Sequence, residues 1–154
     1  AIELNKADVD LLIIDTAHGH TTKVSKMIKN VKKKISRVNL CAGNIATGKA
    51  AKFLADSGAD IVKVGIGPGS ICTTRLVAGI GVPQITAIQN VKRAVAKKKI
   101  NIISDGGIKF SGDIIKALAA GADAIKMGSI FAGTDESPGK VFKFKNIHQS
   151  ITKN

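Results

Sequence analysis

The sequence predicts an α/β fold of repeated strand–helix units on a parallel sheet, with a (β/α)8 barrel favoured over a doubly wound sheet. Three observations carry this expectation. Five short β-branched runs, at 11–15, 38–43, 60–65, 101–105 and 123–128, are near-continuously apolar, as parallel strands covered on both faces are. Amphipathic helical patterns separate them. Every side chain suited to chemistry falls at the C-terminal end of a strand, spread over all five, which is how a barrel active site is distributed. A Rossmann fingerprint is absent, since no Gly-x-Gly-x-x-Gly opens a helix after a strand.

The elements follow in chain order. After the first strand, Val24, Ile28, Val31 and Ile35 form one stripe, with Lys23, Lys26, Lys29 and Lys33 on solvent faces. The second strand contains Cys41, an expected inert buried thiol, and ends near Asn44, which either supports the site by hydrogen bonding or serves as a turn residue. Ala50, Phe53 and Leu54 mark a second helix, and Ile88, Val91 and Val95 a third. A fourth helix is expected over 112–120, with Ser111 as its N-cap and Asp113 in its first turn. Gly58-Ala59-Asp60-x-x-Lys63-x-Gly65 recurs as Gly121-Ala122-Asp123-x-x-Lys126-x-Gly128, an internal echo spaced two strand–helix units apart.

The most informative stretch is residues 65–75, GIGPGSICTTR. Gly65, Gly67 and Gly69 clear side chains from the backbone, so that amides and carbonyls can approach a ligand. Ser70 adds a hydroxyl, and Cys72 a thiol followed by Thr73, Thr74 and the cation Arg75. A thiol is a nucleophile as thiolate, which positive charge and a polar, partly exposed loop favour.

Composition narrows the function class. At 154 residues with 44% hydrophobic content, the chain has room for one globular domain with a real core. No apolar run approaches the ~20 residues of a membrane span. Two cysteines are too few for a disulfide framework. With no signal-peptide pattern at its start, the expected setting is cytoplasmic. The formal charge of +13 raises the question of nucleic acid, but of 24 basic residues only Arg37, Arg75 and Arg93 are arginines, and Trp and Tyr are absent. Bidentate base readout and base stacking therefore have few agents, and a solvated lysine-rich surface is the expectation. His18 and His20 supply too few ligands for a closed zinc site, and the third histidine lies at 148.

The loop GIGPGSICTTR, with AGIGVPQ at 78–84, resembles the catalytic loop of inosine 5′-monophosphate (IMP) dehydrogenases. DTAHGH at 15–20, AGNIAT at 42–47, SDGGIKFSGD at 104–113 and MGSIFAGTDESPG at 127–139 match the same family in the same order. The resemblance implies the last five units of a (β/α)8 catalytic barrel over 1–139 and NAD-dependent oxidation of IMP to XMP in guanine nucleotide biosynthesis. By resemblance Cys72 attacks C2 of IMP to form a thioimidate, and Thr74 helps position the hydrolytic water. Ser70, Asp105, Gly106, Gly107, Gly128 and Ser129 would hold the substrate. Its phosphate would sit among Ser70, Gly107 and the Gly128–Ser129 pair, where barrel loops commonly bind phosphate, and its ribose on Asp105. Asp15, Thr16, Ala17, Asn44, Gly65, Ile66 and Gly67 would meet NAD. Carbonyls of Gly67, Gly69 and Cys72 would coordinate a monovalent cation, usually potassium, beside an adjacent subunit of a homotetramer.

The family's flap, with its catalytic base and Arg-Tyr pair, has no match here, and Arg75 is not that base; local structure or charge is its expected role. Residues 140–154 form an atypical tail, expected to be joined from elsewhere in the parent protein, with an interrupted Cα spacing within 139–150. Two other functions compete: guanosine monophosphate (GMP) reductase, which shares a similar cysteine loop, and a non-catalytic nucleotide-binding half-barrel. AGIGVPQ, DTAHGH and the Glu136–Gly139 stretch favour the dehydrogenase.

Overall fold

The computed structural model describes residues 1–140. Its centre is a five-stranded sheet of β1 (Leu11–Asp15), β2 (Asn39–Ile45), β3 (Ile61–Val64), β4 (Asn101–Asp105) and β5 (Ala124–Lys126). All neighbours pair in parallel, in the order β1-β2-β3-β4-β5. The helices are α1 (Ile2–Lys6), α2 (Thr22–Lys34), α3 (Gly48–Asp56), α4 (Thr74–Val77), α5 (Gln84–Val95) and α6 (Ser111–Ala119). Helices α2, α3, α5 and α6 pack side by side in chain order against the strands. A strand order that never turns back on itself, with its helices in one consecutive row, is an arc of a (β/α)8 barrel and not a doubly wound sheet.

The core lies between sheet and helices. Leu12, Leu40, Ala42, Val62, Val64 and Ile102 meet Ile28, Ala51, Leu54, Ile88 and Val91. Alternation along each strand sends Ile13, Asp15, Cys41, Lys63, Ile103, Asp105 and Lys126 to the opposite face. The expectation of strands apolar on both faces therefore holds for the helix side only. The second face carries a cluster of charges, and Ile13 on it is half exposed.

The internal echo is a repeated strand entry. Gly58 and Gly121 take left-handed φ of 106° and 115° after α3 and α6. Their amides bond Ala55 O and Leu118 O, and the following Ala59 and Ala122 amides bond Leu54 O and Ala117 O, the Schellman pattern. The next aspartates are not strand residues, which is why β3 and β5 begin one residue later than expected. Asp60 Oδ2 accepts the Leu40 amide at 2.7 Å and Asp123 Oδ2 the Ile102 amide at 2.8 Å, pinning each new strand to its neighbour. Each also pairs with a helix lysine, Lys32 at 2.7 Å and Lys92 at 3.5 Å.

The other boundaries differ in small, explicable ways. β2 runs on to Ile45, so Asn44 lies inside it rather than at its end, and β5 stops at Lys126. α2 and α3 are capped by Thr21 and Thr47, whose hydroxyls accept the Val24 and Ala50 amides at 3.3 and 3.2 Å. Ser111 is not the N-cap of α6; it is the first helical residue. The Asp113 carboxylate, at the third helical position, instead reaches back to accept the Lys109 and Phe110 amides, both at 3.1 Å, and so secures the helix start without an N-cap hydroxyl. Neither α1 nor α4 buries a residue, so no apolar stripe announces them.

Of the tail expected over 140–154 and the interrupted Cα spacing expected within 139–150, all but residues 139 and 140 lies outside the described residues, as does His148. Among the described residues no helix is long and apolar enough to cross a membrane.

The pinning aspartates make a stability prediction. Asp60→Ala removes an acceptor and an ion-pair partner at a strand start, and is expected to cost about 1–3 kcal/mol. Asp123→Ala, with its longer ion pair, should cost less. Urea midpoints of the full-length variants check this, and equal midpoints for both variants and the parent would contradict it.

Candidate active site

The C-terminal ends of the strands converge on one buried cation. Lys63 is 1% exposed, yet it sits in a strand that is otherwise aliphatic. Its ammonium lies 2.8 Å from Asp15 Oδ1 and 3.1 Å from Asp105 Oδ2, joining the ends of β1 and β4 across β3. Lys126, the echo of Lys63, stands 4.0 Å from Asp15 and 3.6 Å from Asp105. Burial alone would depress the Lys63 pKa, but its hydrogen bonds to the Asp15 and Asp105 carboxylates outweigh it and hold the pKa above the ordinary lysine value. Burial pushes the Asp105 carboxyl up, but hydrogen bonds from Asn44 and Lys63 outweigh it and hold the carboxyl below the usual carboxylate range.

Asn44 owes its place to an irregularity in β2. The register with β3 shifts between Gly43 and Ile45, which re-aims the side chain between them. Its Nδ2 donates to Gly65 O at 2.8 Å and to Asp105 Oδ2 at 3.0 Å, the supporting role expected rather than a turn. Its Oδ1 is buried and has no donor among the described residues. Thr16 is spent internally, since its hydroxyl and amide both donate to Gly43 O, at 2.6 and 2.9 Å. Ala17 and His18 are exposed beyond it. His20 packs its ring on Phe53 at 4.9 Å.

The glycine-rich loop leaves β3 and rests on the turn after β4. A Cβ on Gly65 would lie 2.1 Å from Asp105 O, so only glycine allows the two strand ends to approach this closely. Pro68 and Gly69 then lie against Gly106 and Gly107, where a Cβ on Gly106 would sit 3.1 Å from Gly69 N. The Gly106 amide bonds Lys126 O at 3.3 Å, bringing the end of β5 alongside. Ser70, Gly107, Gly128 and Ser129 are exposed, and among the described residues no backbone carbonyl takes their amides. Three of the expected substrate loops thus adjoin, with free donors.

Arg75 stitches this loop shut, as its expected local role requires. Its Nε donates to Ile66 O at 3.1 Å and its guanidinium to Val82 O at 2.5 Å. Cys72 stands at the loop's outer edge, its amide bonded to Gly69 O at 3.0 Å and its Sγ 3.3 Å from Thr74 Oγ1. Hydrogen bonding from Thr74, from the side chain first and then the backbone, with the nearby Arg75 charge, draws the Cys72 pKa below the ordinary thiol value. Cys41 is wholly buried, and desolvation raises its pKa to about 11, which makes it the inert thiol expected.

A family model described as the IMP dehydrogenase / GMP reductase domain matches residues 1–151. The chain belongs to this family. An inosine-5′-monophosphate dehydrogenase of Staphylococcus aureus (strain Mu50) is 61% identical over 151 residues, covering 98% of this chain and 31% of that protein. One from Borreliella burgdorferi is 58% identical over 148 residues, covering 92% of this chain and 37% of that protein. One from Chlorobaculum parvum is 58% identical over 142 residues, covering 92% and 29%. The chain therefore spans about a third of the length of the curated relatives it matches.

Family membership accounts for the expected loops but not for everything the fold assembles. Lys63 and Gln84 were not among the expected site residues. Gln84 Nε2 ties the site's strand ends together, donating to Val64 O at 2.7 Å and Ser104 Oγ at 3.0 Å. The signal for Lys63 was present: a lone lysine in the aliphatic run Ile-Val-Lys-Val can only be buried if carboxylates meet it. A cavity of about 580 Å3 beside α1 and α2, lined by Ile2, Met27, Val31 and Ile35 among others, shares no residue with this site.

The two thiols should separate cleanly by reactivity. Because its pKa is lowered, Cys72 should reach half-maximal iodoacetamide alkylation at a pH below that of an ordinary thiol. Thr74→Val should move that midpoint upward, since the hydroxyl that stabilises the thiolate is gone. Cys41 should stay unmodified while the protein is folded. Peptide mass spectrometry across a pH series measures all three, and a midpoint unmoved by Thr74→Val would contradict the assigned cause.

Proposed function

We propose that the full protein bearing this chain oxidises IMP to XMP, with NAD as hydride acceptor, through a covalent adduct on Cys72. The observation that carries this reading is the thiol of lowered pKa, 3.3 Å from Thr74 Oγ1, on a loop seated against the Asp105–Gly107 turn. A nucleophile, carboxylate acceptors and free amides at adjoining strand ends suit a phosphorylated nucleoside.

In this scheme the Cys72 thiolate adds to C2 of IMP. C2 gives up its hydride and remains on sulfur as a thioimidate, and water then displaces the sulfur to release XMP and the thiol. Thr74 stabilises the thiolate before attack and is placed to orient that water. Asp105 accepts the ribose hydroxyls, and the amides and hydroxyls of Ser70, Gly107, Gly128 and Ser129 receive the phosphate. NAD, when bound, supplies the hydride acceptor. The donor set fits it: Asp15 keeps an exposed carboxylate for a ribose, and the buried Asn44 Oδ1, without a partner among the described residues, can accept a donor from a ligand. Of the remaining expected contacts, Gly65 O and Ile66 O each accept one bond, from Asn44 and Arg75, and retain a second lone pair.

The carbonyls of Gly67, Gly69 and Cys72 form an oxygen-only set suited to potassium. Gly69 O already accepts the Cys72 amide and retains its second lone pair. A homotetramer in the cytoplasm completes the proposal. Both cysteines are free, and the exposed Phe110, Ile115 and Ile13 call for cover from further barrel units or subunits.

The test uses the full-length protein. Cys72→Ala should abolish NADH formation while leaving IMP affinity within about three-fold, because Asp105, Gly107, Gly128 and Ser129 carry most of the ribose and phosphate contacts from other loops. Retention of even a few per cent of turnover would overturn the nucleophile assignment. Consumption of NADPH with GMP would assign the reductase reaction instead, and IMP binding without NADH formation by the unsubstituted protein would assign a binding module.

A further inference from the structure

The charge cluster at the strand ends has an asymmetry that a purely structural ion pair would not need. All the described donors to Asp105 converge on one oxygen: Lys63 at 3.1 Å, Asn44 at 3.0 Å and Lys126 at 3.6 Å all meet Oδ2. No donor among the described residues reaches Oδ1. Asp15 shows the same arrangement more weakly, with Oδ1 on Lys63 at 2.8 Å and Oδ2 no closer to a cation than 4.0 Å from Lys126. Each carboxylate is thus anchored by one oxygen and offers the other. Both anchors are the same ammonium, itself out of contact with water. Room for its stem exists because residue 43 is glycine, where a Cβ would lie 2.7 Å from Lys63 Cβ.

We propose that Lys63 is a positioning residue that couples the two nucleotide sites. It holds Asp105, for the substrate ribose, and Asp15, for the dinucleotide ribose, at a fixed separation on one buried ammonium. This rests on the function proposed above and adds to it a residue that touches neither ligand. The physical reason is directional. A carboxylate bound through one oxygen to a fixed cation cannot rotate its free oxygen away without breaking a short charge-assisted bond, so the acceptor is pre-aimed. Because one cation fixes both carboxylates, displacement of either moves the other. The separation of the two riboses, and hence of the reacting atoms they carry, is set by a single side chain on β3.

The two lysines of the echo divide the work. Lys126 is half exposed and stands farther from both carboxylates, so solvent screens it. It balances the charge of the cluster, two carboxylates against two ammoniums, without fixing a direction.

The experiment uses the full-length protein with IMP as the probe and calorimetry as the readout. Lys63→Met alone leaves two carboxylates facing Lys126, and the protein can fail to fold. The decisive comparison is therefore Asp15→Asn against Asp15→Asn with Lys63→Met, where Asp105 and Lys126 still balance. If Lys63 positions Asp105, the double variant binds IMP about ten-fold more weakly than Asp15→Asn, the scale of one misdirected charge-assisted contact. The folded double variant melts lower, because the shielded Lys63–Asp105 pair is gone, while its rate of Cys72 alkylation stays at the single variant's value, since Thr74 and Arg75 set the thiol. Equal IMP affinity in the two variants would overturn the proposal and leave Lys63 a structural strut. Failure of the unsubstituted protein to bind IMP would instead overturn the function on which the proposal rests.

Discussion

A single ammonium buried at the end of β3 constrains the rest of this structure. Removing a lysine charge from water carries a desolvation cost of several kcal/mol, recovered only where carboxylates meet it with good geometry. Here they come from β1 and β4, on either side, so burial of Lys63 requires three strands that are not all sequence neighbours to end at the same level. The parallel register places Asp15, Gly43 and Lys63 in one row across β1, β2 and β3. The two arms differ in strength. Asp105 is well shielded and further held by Asn44, whereas Asp15 is more than half exposed and its pairing is screened. The shielded arm holds the fold together, and the exposed arm leaves a carboxylate free for a ligand.

The repeated Gly-Ala-Asp-x-x-Lys-x-Gly unit shows how the chain meets this demand twice. In both copies a left-handed glycine closes the helix, an aspartate pins the incoming strand to its neighbour, and a lysine three residues on reaches the carboxylates at the strand ends. The difference is one of position in the sheet. β3 has neighbours on both sides and buries its lysine, while β5 is an edge among the described strands and leaves its lysine half in water. Identical local chemistry acquires different roles because burial is a property of the sheet, not of the segment.

Thiol activation, by contrast, is local. Thr74 is two residues from Cys72, and Arg75 is held nearby by carbonyls of the same loop. Chemistry organised this way leaves a legible trace in sequence, because the partners are printed side by side. The same holds for the amides of Gly107, Gly128 and Ser129, which follow directly on the strands that present them.

By itself, the sequence determined the strand–helix alternation, the helix stripes, the inert Cys41 and the loop that carries Cys72, since each is a matter of spacing within a few residues. It placed Asp15, Asn44 and Asp105 at strand ends without showing that one lysine and one amide bind them into a cluster. Only the tertiary structure decided that Lys63 is buried, that Thr16 is consumed by Gly43, that Asp113 rather than Ser111 caps α6, and that the register shift in β2 aims Asn44 at Asp105. The physical reason is range. Periodicity and turn chemistry act over a turn of helix or a pair of strand residues, whereas the partners of Lys63 lie 48 residues before it and 42 after it and meet it only once the sheet has formed.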